Sequence, residues 1–487
     1  MIENRDVQKD LEQVDSILKE QGISRRDAMK MVGLSGATLM CGHSQVNAST
    51  EINTSNAKGK IVIIGGGLAG MSTAARLNNT LENPDITIIE PQTYSVSYQP
   101  GQTLVGAGFW KKTDLIYHRD DFVPSASKII KEKAIEFDPD NNLVKTDKGT
   151  EVHYDFLIIS AGVKLNYSAI KGLEEVGELY SIGKNTDAIK ALNAKGVSSV
   201  YTADGAEQTW KNMESFISKA QKEDKKTALF TQPNTHIKCE GTPKQIMYLA
   251  NIRLNEQNTQ TRANTNLHFY SATSNMSDIS DYNTAIEEQF EQRKMNYTYN
   301  HNLTEIKNGL AIFDTINNED KTSVVSVEKE FDFIHVTPPM KAPDEIGKSP
   351  LGSDEGWIPV NKETLQHVAY ANVFALGDIA DVPMGKTAGS VRKQYKVVVN
   401  NIISMMQIGE IPASNIKYDG YTAYPLITDI GTVMLTEFNW DSKQTGSGKN
   451  AAFTSLLDPT KERYIWWLLK MYFLKPMTVY GILAGKA

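Results

Sequence analysis

The chain has 487 residues, of which 40% are apolar and 22% are charged, and its formal net charge is −7. This length predicts two or three domains, and the negative charge argues against a general affinity for nucleic acid. Its two cysteines, Cys41 and Cys239, are too few for a disulfide scaffold or a four-cysteine metal site. We expect no metal site.

The first 57 residues predict an export signal followed by a polar linker. Arg25 and Arg26 precede a short apolar run, residues 31–41, and this order is typical of a bacterial twin-arginine signal. The run is too short to cross a bilayer, which takes about 20 residues. Cleavage of the signal would remove Cys41 and leave the mature protein in the periplasm. The alternative is a disordered tail with a chance arginine pair.

The first structured segment predicts a dinucleotide site. Residues 60–64 form a β-branched run typical of a buried parallel strand, and a GxGxxG pattern follows with Gly65, Gly67 and Gly70. Gly65 would allow a tight turn, Gly67 the approach of a pyrophosphate, and Gly70 the packing of a helix on the strand. Glu90 ends the next predicted strand, where a carboxylate binds ribose hydroxyls.

Two later strands favour FAD over NAD. Residues 154–162 read as a strand that ends in a small turn at Gly162, and residues 373–378 as a strand that ends in Gly-Asp. Both segments are similar to those of the flavoproteins with two dinucleotide-binding domains. In that family the aspartate of Gly-Asp holds the ribityl chain of FAD, so the resemblance implies FAD as cofactor and places Asp378 beside it.

The middle of the chain has no second nucleotide fingerprint. No GxGxxG pattern occurs between residues 171 and 350, and the strand predicted at 227–231 runs into a segment without glycine, residues 232–235. We therefore expect a doubly wound domain without a pyrophosphate turn. This expectation argues against NADH as the electron donor.

The segment at residues 233–249, which contains Cys239 and Glu240, resembles the sulfide:quinone oxidoreductases and the related flavocytochrome c sulfide dehydrogenases. The resemblance covers nearly everything from residue 60 onward, including residues 98–100, 335–340, 364–367, 383–388 and 418–421. It implies that Cys239 lies beside the flavin and carries sulfur, and that electrons pass from sulfide through FAD to a quinone.

A cysteine suits this chemistry because a thiolate forms and breaks S–S bonds readily. Lys238 and His236 would favour the thiolate, and Glu240 would oppose it or accept a proton. The alternative for Cys239 is a small buried residue, which is the usual place of a free cysteine.

The chain departs from the family at one position. The family's second cysteine directly follows the Gly-Asp pair, and Ile379 stands there in this sequence. After removal of the signal, Cys239 would be the single cysteine, so an intramolecular disulfide or trisulfide could not form. Either Cys239 works with an external thiol or sulfide, or the donor is not sulfide.

Lys386 and Thr387 are predicted to open a helix that points at the flavin pyrimidine. A positive charge and a helix N-terminus there would stabilise the anionic reduced flavin. The alternative is an ordinary surface lysine at a helix start.

The C-terminal region predicts attachment to a membrane surface. Residues 464–476 are dense in aromatic side chains but are interrupted by Lys470, Lys475 and Pro476, so they should not span the bilayer. Aromatic residues with flanking lysines suit the interface, where an amphipathic helix lies in the headgroup region. The alternative is a helix that packs in the core or in a dimer.

Together these features predict an α/β protein with two doubly wound Rossmann-like domains and a C-terminal amphipathic membrane-surface segment. The expected divisions are an FAD-binding domain at 58–170 and 351–425, a second nucleotide-type domain at 171–350 and a membrane-associating region at 426–487. We expect catalytic roles for Cys239, Glu240 and Lys386.

The predicted function is an FAD-dependent oxidoreductase on the outer face of a bacterial inner membrane. Its expected partners are a membrane quinone, sulfide or another small sulfur donor, and the membrane surface, and a homo-oligomer is compatible with the sequence. Three alternatives stay open: a type II NADH:quinone dehydrogenase, a flavocytochrome subunit that needs no membrane segment, and a flavin-bound relative without turnover, which Ile379 would favour.

Overall fold

The structure is a computed structural model, and it describes residues 54–92, 96–223, 225–316, 323–448 and 457–487. The predicted twin-arginine signal, with Cys41, lies outside the described residues.

Two five-stranded parallel sheets form the framework of the molecule. Their strands are rich in β-branched and aromatic residues, and most of their side chains are buried, as expected for strands covered on both faces. In chain order the strands are β1 (Lys60–Ile64), β2 (Asp85–Ile89), β3 (Ser127–Ile130), β4 (Phe156–Ile159), β5 (Val197–Ser198), β6 (Lys226–Gln232), β7 (Thr265–Ser271), β8 (Asn296–Thr298), β9 (Phe333–His335) and β10 (Val373–Ala375).

The two sheets share the order of four of their five strands. The fifth strands, β10 and β5, lie at equivalent edges, but β10 comes last and β5 first among the strands of its sheet along the chain. The first sheet runs β10-β4-β1-β2-β3 and the second runs β5-β9-β6-β7-β8. The central strands β1 and β6 therefore occupy equivalent positions, each between the next strand in the chain and a later one. Parallel neighbours need crossover connections, which lie on the faces of a sheet. This arrangement confirms the predicted α/β class with two Rossmann-like sheets.

Five helices of the described chain have 13 or more residues: α1 (Leu68–Thr80), α2 (Ala203–Ala220), α3 (Thr242–Gln257), α4 (Ser280–Gln292) and α5 (Ala388–Ile408). Helix α1 follows β1 directly, and α3 follows β6 after the turn at residues 233–241. Helices α1 and α5 pack against each other. The N-termini of α1, α3 and α5 all border the cavities described below.

Smaller antiparallel sheets connect and flank the two parallel sheets. One consists of Lys164–Asn166, Glu178–Tyr180 and Met340–Lys341; the second of Ala134–Asp138, Leu143–Thr146 and Glu151–His153; and the third of Asn302–Lys307, Leu310–Ile316 and Val324–Glu330. Shorter helices are Gln102–Gly106, Thr186–Ala194, Thr259–Ala263, Asp344–Gly347 and Trp440–Thr445.

An antiparallel hairpin, Thr422–Asp429 with Thr432–Phe438, packs against α3. Most of its side chains are buried. The hairpin falls largely within residues 426–487, the region predicted to associate with a membrane, so part of that region is internal structure.

The chain ends in four consecutive helical segments: Tyr464–Leu468, Leu469–Phe473, Leu474–Pro476 and Met477–Ile482. Their inner side chains are buried, and three large apolar residues point outward: Tyr472 is 56% exposed, Phe473 44% and Tyr480 75%. Among the described residues, no helix combines the length and apolar character needed to cross a membrane.

The last residues are tied to the first sheet's helices. The Asn79 side chain donates to the carbonyl oxygen of Ala484 over 3.0 Å, and the Tyr395 hydroxyl donates to the carbonyl oxygen of Ala487. The C-terminal segment is thus docked on α1 and α5, and it forms one wall of the cavities.

Candidate active site

The turn between β1 and α1 depends on three glycines. Gly65 has a φ of +99°, and a Cβ atom there would lie 2.7 Å from the Cα atom of Ala161. A Cβ atom on Gly70 would overlap the carbonyl oxygen of Gly65. A Cβ atom on Gly67, in contrast, would meet only the Ile182 side chain, at 3.9 Å. The first two positions therefore require glycine within the fold, whereas Gly67 leaves space for a ligand.

Glu90 lies beside this turn at the end of β2. Its Oε2 atom accepts from the backbone N–H of Gly66 over 2.8 Å, and its Oε1 atom lies 3.3 Å from Nη1 of Arg119. The Arg119 side chain is fully buried, its Nε donates to the carbonyl oxygen of Gly66 over 2.9 Å, and its Nη2 atom has no partner among the described residues. A buried donor without a partner, next to a carboxylate and a glycine turn, fits the adenosine end of a dinucleotide.

A single cavity joins the glycine turn to Cys239. Eight of the residues predicted for the site line it: Gly65, Gly67, Glu90, Gly162, Cys239, Asp378, Lys386 and Thr387. Gly70 lies behind the turn and does not line the cavity, because its role is to let α1 pack on β1. We call this space the cofactor cavity.

A second cavity lies against the first. Six residues line both: Gln99, Pro100, Cys239, Thr387, Ala388 and Thr478. Its other walls come from α3, α5, the hairpin and the C-terminal helical segments. Most of its surface is apolar, with a few polar side chains among them. We call it the distal cavity.

Cys239 lies in the turn between β6 and α3, which is the topological equivalent of the glycine turn between β1 and α1. Its φ of +52° is in the left-handed region, where a residue with a Cβ atom is uncommon. Its backbone N–H donates to the carbonyl oxygen of Lys386 over 2.9 Å, and its carbonyl oxygen accepts from Thr242 over 2.8 Å. These bonds fix the sulfur-bearing turn against the start of α5.

The charges around Cys239 set its protonation. Burial and the nearby Asp378 raise the pKa of the Cys239 thiol to about 11, and Lys238 and Lys470 only partly offset them. The Lys238 ammonium is buried and donates to Gln99 over 2.8 Å and to the Ser181 hydroxyl. At neutral pH the group is therefore a thiol in this state of the protein.

Two neighbours of Cys239 do not lie where the sequence suggested. His236 is exposed and lines neither cavity. Glu240 is half-buried and also lines neither cavity; burial raises the pKa of its carboxyl, and Lys244 opposes that rise. Lys244 is buried behind the turn, where it donates to Gln232 over 3.1 Å and to the carbonyl oxygen of Met276 over 2.7 Å.

Lys386 is held by the turn that contains Asp378. Its ammonium donates to the carbonyl oxygens of Asp378, over 2.7 Å, and Ala380, over 3.2 Å, and it lies 4.1 Å from the centre of the Trp357 indole. Burial lowers the pKa of Lys386 to about 8, against the attraction of Asp378. Thr387 caps α5, because its hydroxyl accepts from the backbone N–H of Ser390 over 3.1 Å. The positive end of α5 thus borders the cofactor cavity.

Ile379 is fully buried and lines neither cavity. The position where the family carries its second cysteine therefore belongs to the apolar core. Within the part of the chain that the structure describes, Cys239 is the free cysteine.

Sequence reasoning missed two residues of the site. Arg119 comes from a short turn with no motif around it. Lys470, in the C-terminal segment, lines the distal cavity together with Cys239 and lowers the pKa of its thiol. The only sequence signal for Lys470 was its position as a charge inside an aromatic run.

Comparison with known proteins agrees with this geometry. A protein-family profile described as pyridine nucleotide-disulphide oxidoreductase matches residues 59–206. The mitochondrial sulfide:quinone oxidoreductase of Mus musculus is 34% identical over 413 residues, which cover 84% of this chain and 83% of that protein. Its counterpart in Dictyostelium discoideum is 34% identical over 447 residues, which cover 91% and 90%.

Among solved structures, the sulfide:quinone oxidoreductase of Aquifex aeolicus superposes with a TM-score of 0.65 at 19% identity and covers 88% of this chain and 92% of that one. At that identity the match shows the shared fold. The Mus musculus and Dictyostelium proteins are mitochondrial, so they lend no support to the predicted periplasmic location. Their identity and coverage decide the family: this chain belongs to the sulfide:quinone oxidoreductases and is an FAD-dependent oxidoreductase.

Proposed function

We propose that this protein oxidises sulfide, or another small sulfur donor, and passes the electrons through FAD to a membrane quinone. The observation that carries the proposal is the position of Cys239, which borders the cofactor cavity and the distal cavity at once. A sulfur nucleophile and a quinone can then both reach the same bound cofactor. The names of the Mus musculus and Aquifex relatives support this choice of substrates.

The residues of the cofactor cavity fit FAD. The turn at Gly65 and Gly67 would receive the pyrophosphate, Glu90 the adenosine ribose, and Asp378 the ribityl chain. Thr387 and the N-terminus of α5 would lie near the flavin ring, where a positive helix end favours a negatively charged reduced ring. When bound, FAD accepts an electron pair and releases it to a second substrate.

Lys386 has a positioning role in this proposal. Its ammonium is bonded to the carbonyl oxygens of the Asp378 turn, so it holds that turn in place and contributes positive charge to the cavity. A catalytic role for Glu240 stays a prediction, since its side chain lines neither cavity.

Cys239 would carry the sulfur alone. The Cys239 thiol would lose its proton and form one S–S bond with a hydrosulfide ion, giving a persulfide anion. Two protons would be released in this step, and bound FAD would take up the electron pair. An external thiolate or sulfide then attacks the outer sulfur, which breaks that S–S bond and frees the Cys239 thiolate. The buried Ile379 cannot take this second role, so the acceptor has to come from solution.

The C-terminal segment supports a surface attachment to a membrane. Tyr472, Phe473 and Tyr480 point outward from the same helical segments whose inner residues line the distal cavity. Aromatic side chains of this kind favour the lipid headgroup region. A membrane-bound quinone would then reach the distal cavity beside that surface.

A triple substitution, Tyr472→Ser with Phe473→Ser and Tyr480→Ser, tests this attachment by sedimentation with lipid vesicles. We expect the variant to stay in the supernatant with its FAD retained, and the wild-type protein to sediment. Val324→Ser and Val325→Ser, on an exposed strand elsewhere, provide the control. Deletion of residues 464–487 is a poorer test, because Thr478 and Leu483 line the cofactor cavity and their loss would also remove FAD.

The periplasmic location rests on Arg25 and Arg26. Replacement of both by lysine should stop export in a bacterial host, and fractionation would then find the protein on the cytoplasmic side. Unchanged export would refute the proposed twin-arginine signal, and it would have no bearing on the proposed sulfide oxidation.

The enzymatic proposal is tested by steady-state reduction of a soluble quinone with sulfide or with NADH as donor. We expect turnover with sulfide and none with NADH, because the turn that follows β6 has no glycine before Gly241 and carries Cys239 in place of a pyrophosphate site. Turnover with NADH and none with sulfide would favour a type II NADH:quinone dehydrogenase instead.

A further inference from the structure

The distal cavity holds a carboxylate and a phenol in direct contact. Glu437 lies on the strand Thr432–Phe438, and Tyr421 immediately precedes the strand Thr422–Asp429. The Tyr421 hydroxyl donates a hydrogen bond to Oε1 of Glu437, and both side chains line the cavity. Among the described residues that line it, Glu437 is the only one that carries a carboxylate.

This pair is buried and firmly held. Glu437 is 2% exposed and Tyr421 is 3% exposed. The Tyr282 hydroxyl donates to the carbonyl oxygen of Glu437 over 2.7 Å and accepts from its backbone N–H over 3.0 Å, which fixes the strand at this residue. Removal of a carboxylate from water is costly, and the Arg392 guanidinium, which lines the same cavity beside Tyr421, offsets part of that cost. The placement of this polar cluster in the wall of a largely apolar cavity points to a ligand with polar groups.

Charged side chains surround Tyr421. The Lys393 ammonium, which is half-buried, lies 5.3 Å from the centre of the Tyr421 ring, and the buried Arg392 guanidinium lies 5.2 Å from it. Asp419, which is exposed, accepts from the backbone N–H of Tyr421 over 2.9 Å. The Tyr421 ring thus lies beside Lys393 and beside Arg392, which lines the distal cavity, and its backbone is joined to the exposed carboxylate of Asp419.

We propose that Glu437, held by Tyr421, is the proton donor to the quinone. The inference rests on the proposed function. Reduction of a quinone to a quinol takes two electrons and two protons. The electron pair and one proton would be supplied by the bound reduced cofactor, and the carboxyl group of Glu437 would donate the second proton. The O–H bond of that carboxyl breaks as the O–H bond of the quinol forms, and the carboxylate is reprotonated from solvent by way of the Tyr421 hydroxyl.

The test separates electron transfer from proton transfer in Glu437→Gln and Tyr421→Phe. The flavin is first reduced with dithionite, so that the result does not depend on sulfide, and is then mixed with a soluble quinone or with ferricyanide. Ferricyanide accepts electrons without protons. We expect Glu437→Gln to slow quinone reduction about 10²-fold and to leave ferricyanide reduction within about twofold. Glu410→Gln, at an exposed carboxylate, is the matched control.

An infrared difference spectrum of oxidised and reduced protein gives a readout independent of turnover. A carboxylic acid band should be present in wild type, shifted in Tyr421→Phe and absent in Glu437→Gln. Wild-type rates with quinone in both variants, or an unchanged band in Glu437→Gln, would overturn the inference. If reduced wild-type protein transfers electrons to ferricyanide but not to any quinone, the proposed quinone function itself is wrong and the inference falls with it.

Discussion

The backbone N–H of Cys239 donates a 2.9 Å hydrogen bond to the carbonyl oxygen of Lys386. This bond joins the turn that follows β6 of the second sheet to Lys386, which precedes the N-cap residue of α5. Helix α5 packs against α1, the helix that follows β1 of the first sheet. Lys386 in turn binds the carbonyl oxygens of Asp378 and Ala380. Two segments that are distant in sequence, the turn at Cys239 and residues 378–386, are therefore fixed to one another where the cofactor and distal cavities meet.

Replacement of Lys386 by methionine should loosen this junction. The apolar stem would stay in place, but two buried carbonyl oxygens would lose a charged donor, at a cost of about 2–3 kcal/mol. We expect the purified variant to contain less FAD per chain, measured from the ratio of flavin to protein absorbance. Lys219→Met, at an exposed position of α2, should keep the wild-type ratio. A full complement of FAD in Lys386→Met would contradict the positioning role.

Alanine substitutions at Gly67 and Gly70 should affect different properties, FAD binding at Gly67 and stability of the fold at Gly70. A Cβ atom on Gly70 overlaps the Gly65 carbonyl, so Gly70→Ala should lower the free energy of unfolding of the apoprotein by about 1–3 kcal/mol. A Cβ atom on Gly67 has room in the protein itself but would enter the space assigned to the pyrophosphate. Gly67→Ala should therefore fold normally and bind FAD weakly, as shown by urea unfolding together with FAD titration. Normal FAD affinity in Gly67→Ala would place the pyrophosphate elsewhere.

Alkylation of Cys239 should be slow at neutral pH and rise steeply with pH. The pKa of the thiol is raised to about 11, so the reactive thiolate is present at about 10⁻³ of the total at pH 8 and grows about tenfold with each pH unit. The rate with iodoacetamide, measured on flavin-free protein in a Cys41→Ser background, should show no plateau below pH 10. Because Lys470 lowers this pKa, Lys470→Met should react more slowly at each pH. A plateau near pH 8 would contradict the assigned environment.

Arg119 should be needed for cofactor binding although no motif marks it. Arg119→Met would leave Glu90 as a buried carboxylate without its charged partner, and loss of one member of a buried pair costs about 3–5 kcal/mol. Arg119→Lys should restore little of the lost stability or of the FAD binding, because an ammonium cannot reach Glu90 and the backbone carbonyls of Gly66 and Gln92 together. Thermal unfolding without and with added FAD measures the stability of each variant and its stabilisation by FAD. An Arg119→Lys variant that matches wild type in both measurements would show that only the positive charge is needed.

The parts of the site that the sequence predicts are those governed by local chain geometry. The glycine turn follows from which backbone angles and close approaches each residue allows, and Glu90 follows from the length of one strand–helix–strand unit. The strand that ends in Gly-Asp located Asp378 by the same reasoning, whereas Cys239 was assigned to the site by the family resemblance of residues 233–249. The structure brings both residues into one cavity.

The parts that the sequence does not predict arise from packing between distant segments. Arg119 reaches Glu90 from a separate turn, and Lys470 reaches the cysteine region from the C-terminal segment. Glu240 was assigned to the site because it adjoins Cys239, but the left-handed turn at Cys239 directs the two side chains to different places. The aromatic pattern near the C-terminus fits both a membrane surface and a cavity wall, and the structure shows that one segment supplies the wall and also exposes three large apolar residues.

Anaerobic stopped-flow reduction of the bound flavin by sulfide, in wild type and in Cys239→Ala, tests most directly whether Cys239 carries the sulfur to FAD. We expect rapid loss of the oxidised flavin absorbance in wild type and a rate at least about 10²-fold lower in the variant, with FAD content unchanged. No reduction of the wild-type flavin by sulfide would contradict sulfide as donor. Equal rates in the two proteins would contradict the role of Cys239.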